Sequence, residues 1–225
     1  LPARAPRRRT AAIKPALLLV ALLGCAPDEA PPPPAGPEAA PGTVLLVDGL
    51  PLTALDVAPL CADILALYPE YAPVHARRLA LTNEFLPRLA ARARDPEGWQ
   101  RARKDCEEAE HQLETLVPRS EEGTFHGLGL ALWSAARHLP DGQWSPPVEV
   151  SGRWLRLRLD ERVESLDPRE ERLRISVLEF PYLDHDGDPL VLEAAVDQAH
   201  LTIIDPDFGE AVPELWKHRM HGNQP

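Results

Sequence analysis

The densest run of chemistry-bearing side chains in the sequence is Asp184-His185-Asp186-Gly187-Asp188, three carboxylates and an imidazole within five residues. Carboxylates at alternate positions are how a calcium loop begins. Such a loop needs glycine at its sixth position and a bidentate glutamate at its twelfth. Counting from Asp184 places Gly187 fourth and Ala195 twelfth, so the run reads as a polar turn, for which Asp and Gly are ordinary residues. The eight histidines are scattered and none stands in an HExxH spacing; no metal and no other cofactor is expected. The sequence contains no GxSxG, no P-loop and no GxGxxG. Ser, His and Asp are common enough to compose a triad on paper anywhere, so no catalytic residue is assigned.

Cys25 is set apart by what precedes it. The first 24 residues carry five basic side chains (Arg4, Arg7, Arg8, Arg9, Lys14) and no acid, followed by an apolar run from Ala16 to Leu23 and then Gly24. A cationic lead, a short apolar core and a small residue before the cut are the order of a secretory signal. The apolar run is too short to cross a hydrocarbon core, which takes roughly 20 helical residues. Leu22-Leu23-Gly24-Cys25 resembles the lipobox of bacterial lipoproteins. That resemblance implies removal of residues 1–24, acylation of Cys25 and anchorage in the cell envelope; Ala26, in place of Asp, implies the outer membrane, facing the periplasm.

Without the leader, 19 Lys and Arg face 35 Asp and Glu, a net charge of −16. Nucleic-acid affinity comes largely from Lys and Arg on phosphates, so no nucleic-acid partner is expected. Electrostatic adhesion to anionic lipid is excluded on the same ground. Residues 25–42 read as a tether: six of the twelve residues 26–37 are proline and none is aromatic, a composition that cannot bury a core. Cys61 and Cys106 fall on separate expected helices, and two buried free thiols are favoured over a disulfide.

Residues 43–118 read as a helical region. Thr43–Val47 is a short strand ending in the turn Asp48-Gly49. Asp56 is expected to cap a helix to about Tyr68, with Leu60, Ile64 and Leu67 on one face. Pro73 opens a second helix whose apolar stripe is interrupted at Pro87. Asp95-Pro96 starts a third, running through a charged stretch to Pro118. A further helix is expected from Thr124 to Leu139. The period then changes from 3.6 to 2: Leu155, Leu157 and Leu159 alternate with Trp154, Arg156 and Arg158, the pattern of a strand with one buried and one wet face. Arg172–Phe180 repeats it, and a helix from about Leu190 to Gln198, a strand His200–Ile204 and a short helix around Trp216 complete the set. The expected fold class is α+β, a helical N-terminal half followed by a small antiparallel sheet with flanking helices over residues 119–225.

The stretch from Gly127 to Leu159 carries a second resemblance. Gly127-Leu128-Gly129, Ala135, Leu139, Gly142, Ser145, Pro147, Val148 and Gly152 stand in the order, and near the spacing, of the second half of a parvulin-type peptidyl-prolyl isomerase domain. The leading part, with Val47-Asp48-Gly49 before a helical region, is similar to the SurA and PrsA type of envelope foldase. Two apolar pocket positions of the parvulin pattern fall on Leu128 and Leu132. Its first-strand His-Ile-Leu motif does not precede Gly127, and its last-strand histidine position falls on Trp154. Arg172–Phe180 is expected to supply the missing strand from downstream, beside Arg153–Leu159.

The resemblance implies a lipid-anchored, parvulin-like folding factor whose partners are unfolded or extended exported polypeptides. Isomerase activity is in question, because neither histidine is present. The alternative is a non-catalytic binding or structural envelope lipoprotein on the same scaffold. Leu128, Leu132, Trp144 and Trp154 are the candidate peptide-binding residues, the two tryptophans because they fall on a loop and on the expected wet face of a strand.

Overall fold

The computed structural model describes residues 40–113, 115–150, 152–183 and 189–220. The expected leader, Cys25, most of the expected tether and the run Asp184–Asp188 lie outside them.

The first elements follow from short-range chemistry. Asp48 and Gly49 have φ of 48° and 79°, the left-handed pair that a two-residue hairpin requires and that Asp-Gly tolerates. They join β1 (Thr43–Val47) to β2 (Leu50–Thr53). The cap of α1 (Ala54–Leu67) is Thr53, one turn earlier than the Asp56 expected. The Asp56 N–H donates to the Thr53 hydroxyl, and the Thr53 N–H donates back to the Asp56 carboxylate at 2.9 Å. Asp56 is thus the acidic half of a capping box.

α2 (Pro73–Ala80), a π turn (Leu81–Phe85) and α3 (Leu86–Arg94) follow one another without a break. Pro87 accounts for the π turn. It has no N–H to give the carbonyl of Asn83, and its ring crowds that carbonyl. Letting the Leu86 N–H reach back to Leu81 O widens the turn there. α4 (Pro96–Glu108) starts where expected, with the Asp95 carboxylate accepting from the Gly98 N–H at 2.9 Å. It ends in a 3-10 turn, Ala109–Gln112, short of Pro118.

β3 (Arg119–Gly123) comes next, then α5 (Phe125–Leu128) and α6 (Leu130–Arg137). The single helix expected over 124–139 is therefore two, because Gly129 has φ 83°, outside the helical region. β4 (Val148–Val150), β5 (Arg153–Val163) and β6 (Arg172–Pro181) form antiparallel ladders. α7 (Pro189–Gln198), β7 (Leu201–Ile203), α8 (Pro206–Ala211) and α9 (Glu214–Arg219) close the described chain.

The fold class is α+β, with two antiparallel sheets ordered β2-β1-β7 and β3-β6-β5-β4. The first core gathers β1, α1, α2, α3 and the returning residues of α7, β7 and α8. Leu45 pairs with Ile203 and Val47 with Leu201. Among the described residues no helix is long and apolar enough to cross a membrane.

The second sheet is covered on both faces. Leu155, Leu157 and Leu159 of β5 with Leu173, Ile175 and Val177 of β6 pack against Phe125, Leu128 and Trp133 of α5 and α6. The opposite face is not wet, as the alternation suggested: α4 lies on it, and Trp154 (8% exposed) packs with Trp99, ring centroids 5.5 Å apart. Arg156, also on that face, is 4% exposed. Its guanidinium donates to Cys106 O at 3.0 Å, Glu107 O at 3.3 Å and Ser145 O at 2.8 Å. A cation at the C-terminus of α4 supplies further donors to carbonyls of its last turn and meets the negative end of the helix dipole. An alternating pattern with arginine on one face reads as half solvated; here the arginine is consumed by a helix end.

Candidate functional site

Strand alternation brings charge to one end of an otherwise apolar face. Continuing the inward series of β5 from Leu155 by two residues reaches Arg153; continuing that of β6 from Val177 reaches Glu179. β3 adds Arg119, opposite Val177, and Glu121, opposite Ile175. These four side chains form one network. Arg119 Nη2 is 2.7 Å and Arg153 Nη1 3.1 Å from the same Glu179 oxygen, and Arg119 also bonds Glu121.

The network forms one side of an open groove of about 300 Å³. The segment from Leu128 to Leu132 forms another side, where Gly129 lets α6 start in a new direction, and Trp133, fully buried, holds that helix to the sheet. Leu60 of α1, Asn83 and Glu84 of the π turn, Val150 of β4 and Leu155 of β5 also line it. Glu84 is buried, 3.8 Å from Arg88. A wider π turn re-aims the side chains on it, and here Asn83 and Glu84 are among those that reach the groove.

Of the residues expected to bind peptide, Leu128 and Leu132 line this groove and the two tryptophans do not. Trp154 points to the opposite face of the sheet and is sealed beneath α4. Trp144 bridges to Arg158, a residue of that same opposite face, whose guanidinium carbon is 5.1 Å from its ring centroid. Trp154 was expected to face a peptide because it falls on the strand face opposite Leu155; that face is covered by α4 and is not open to a ligand. Arg119, Arg153, Glu179, Asn83 and Glu84 were not singled out from the sequence. The signal available for two of them was a charged residue at an inward position of an alternating strand.

A polar cluster elsewhere invites a catalytic interpretation. Asp63, buried on α1, accepts from the Ser134 hydroxyl and from Arg137 Nη1 at 3.2 Å, while His138 Nε2 lies 3.0 Å from both its oxygens. Ser134, Arg137 and His138 fall at i, i+3 and i+4, one face of α6. In a nucleophilic relay the imidazole stands between the hydroxyl and the carboxylate. Here the carboxylate stands between the other two, and no hydrogen bond joins Ser134 to His138 among the described residues. Arg137 also reaches Glu171 at 3.4 Å. The arrangement satisfies a buried charge and ties α1 to α6.

The remaining reactive groups are held inert. Cys61 and Cys106 are free thiols, one partly buried beside the first core and the other in the core under the sheet. Burial pushes each up to about 11, with Arg77 and Arg156 respectively offsetting part of the effect. Neither is a thiolate at neutral pH. Tyr182 donates to Glu149 at 3.1 Å, and burial, aided by that carboxylate, raises the phenol far above its usual range. Trp99 Nε1 donates to the same Glu149 oxygen at 2.8 Å. No group of three or more His, Cys, Asp or Glu among the described residues is placed to hold a metal ion.

In comparisons with known proteins, no family model, no curated protein and no solved structure matches this chain.

Proposed function

We propose that this chain is a membrane-anchored, parvulin-like folding factor that binds extended segments of exported proteins in the groove beside Leu128 and Leu132, without isomerising them. The observation that carries this reading is the convergence of those two leucines on an open groove next to an antiparallel sheet in which β6 lies directly beside β5. The resemblance called for a downstream strand beside Arg153–Leu159, and the adjacency of β6 and β5 is consistent with that expectation. The groove joins an apolar strip (Leu60, Leu128, Leu132, Leu155) to a charged end, a pattern suited to apolar side chains on a polar backbone. The anchor is Cys25 acylated behind the Pro-rich tether, which places the groove in the cell envelope, at the outer membrane facing the periplasm.

Binding is favoured over isomerisation by the groove's chemistry. Rotation about a prolyl bond has a barrier of roughly 18–20 kcal/mol, and only tighter binding of the twisted amide than of the planar one lowers it. The described residues lining the groove include no histidine and no hydroxyl. Its two guanidinium groups are already engaged with Glu179.

The test uses two assays in one buffer. The chain is expected to slow aggregation of a denatured client at near-stoichiometric ratio while leaving prolyl isomerisation of a tetrapeptide at the uncatalysed rate. A Leu132→Ser chain should lose most of the protection and keep its circular dichroism spectrum. Full protection by the Leu132→Ser chain would place binding elsewhere; no protection by the natural chain would leave the structural-lipoprotein alternative.

A further inference from the structure

The sheet that borders the groove ends unevenly. On one side of β6 the ladder with β5 continues to the last residue, with Leu155 opposite Glu179 and Arg153 opposite Pro181. On the other side the ladder with β3 begins only at Arg119, opposite Val177. The same register extended backwards would set Pro118 opposite Leu178 and Val117 opposite Glu179, and neither pair forms. Pro118 fixes its own φ near −65° and restricts Val117 before it, and the strand is not continued past Arg119. The lead-in turns away, and Val117 is left 92% exposed. The Tyr182 N–H donates to Gly152 O, so by alternation Leu178 and Phe180 turn their backbone groups to β5, and the groups left facing the open side are the N–H and C=O of Glu179 and the C=O of Pro181.

A second hollow of about 300 Å³ lies along this unpaired stretch, lined by Leu116, Val117, Arg119, Leu178, Glu179 and Phe180. Arg119 and Glu179 line both hollows, so the sheet edge leads directly into the groove.

We propose that the occupant is an extended polypeptide segment, neutral or basic and with alternating apolar side chains, that adds to β6 as a strand along residues 178–181 in the line of β3. The inference rests on the folding-factor reading and specifies how the client is held. Only an extended polypeptide offers N–H and C=O groups at the rise of about 3.3 Å per residue that the edge requires. Alternate side chains of that strand enter the hollow beside Leu116 and Val117, and the segment then passes the Arg119–Glu179 pair into the groove. The net charge of −16 beyond residues 1–24 repels acidic segments and admits neutral or basic ones. The same charge, on a stretch of only four residues, disfavours a second copy of this chain as the added strand.

The test measures anisotropy of a labelled ten-residue peptide, alternating valine with serine or lysine, on the full chain and on a Pro118→Val chain. N-methylation of alternate peptide amides keeps the side chains and removes donors, and is expected to weaken binding about tenfold. Pro118→Val lets β3 extend over Leu178 and Glu179, and is expected to weaken the unmethylated peptide comparably while raising thermal stability. Equal affinity of methylated and unmethylated peptides overturns strand addition. If protection of an aggregating client survives in that case, the folding-factor reading stands without it. A dimer in sedimentation that Pro118→Val dissociates also overturns the proposal, by making a second copy the occupant.

Discussion

A Cys25→Ala chain is expected to leave the membrane fraction almost completely, while the natural chain sediments with membranes and is released by detergent but not by high salt. Each acyl carbon buried in lipid contributes about 0.8 kcal/mol, so two or more chains on one cysteine hold a protein that a single chain would not. Nothing else in the sequence substitutes for them. A net charge of −16 beyond the leader opposes anionic lipid, and no described helix is long and apolar enough to span a bilayer. Fractionation followed by the intact mass of the N-terminal peptide reads both the location and the acylation. A Cys25→Ala chain that still sediments with membranes sinks the lipid anchor.

The second large effect concerns Arg156. An Arg156→Ala chain is expected to lose about 3 kcal/mol of stability, because carbonyls of Cys106, Glu107 and Ser145 lose a charged donor inside the fold. Arg156→Lys should recover only part of that loss, since an ammonium cannot reach three diverging acceptors as a planar fork does. Glu110→Ala removes the carboxylate paired with Arg156, but that side chain is 68% exposed, and the change should cost under about 1 kcal/mol. Urea unfolding of the three variants measures all of this. A small loss for Arg156→Ala, equal to that of Glu110→Ala, would mean that water takes over the helix end.

These expectations show which features of the molecule local pattern carries. Thr43–Val47, Arg153–Leu159 and Arg172–Phe180 are strands because their alternation or apolarity matches a pleated, partly buried surface, and each is where the sequence placed it. Asp48-Gly49 and Asp95-Pro96 are local devices with one structural meaning, and both keep it. β3 has no such signature: Arg119-Ser120-Glu121-Glu122-Gly123 is a strand because β6 offers it a ladder, a long-range fact. β2, with Pro51 inside it, is a strand because the hairpin returns it to β1.

The candidate site divides in the same way. Leu128 and Leu132 were accessible through their place in a motif. The groove's charged end was not, since Arg119, Arg153 and Glu179 come from three strands brought together only by sheet order. Trp154 shows the limit of reading a face as open from alternation: the period that buries Leu155 against α6 puts its neighbour on the other face, and α4 covers that face. The wet face expected there was misread because a strand pattern reports that two faces differ, and says nothing of a helix arriving from elsewhere in the chain.

The central claim is that the groove holds extended polypeptide, and it is tested most directly by crosslinking from inside it. With Leu132 replaced by photoreactive benzoylphenylalanine, irradiation beside a denatured client should give adducts that an extended apolar peptide competes away, and none with the same client in its native state. Adducts equally abundant with native client, or none with either, would contradict the account.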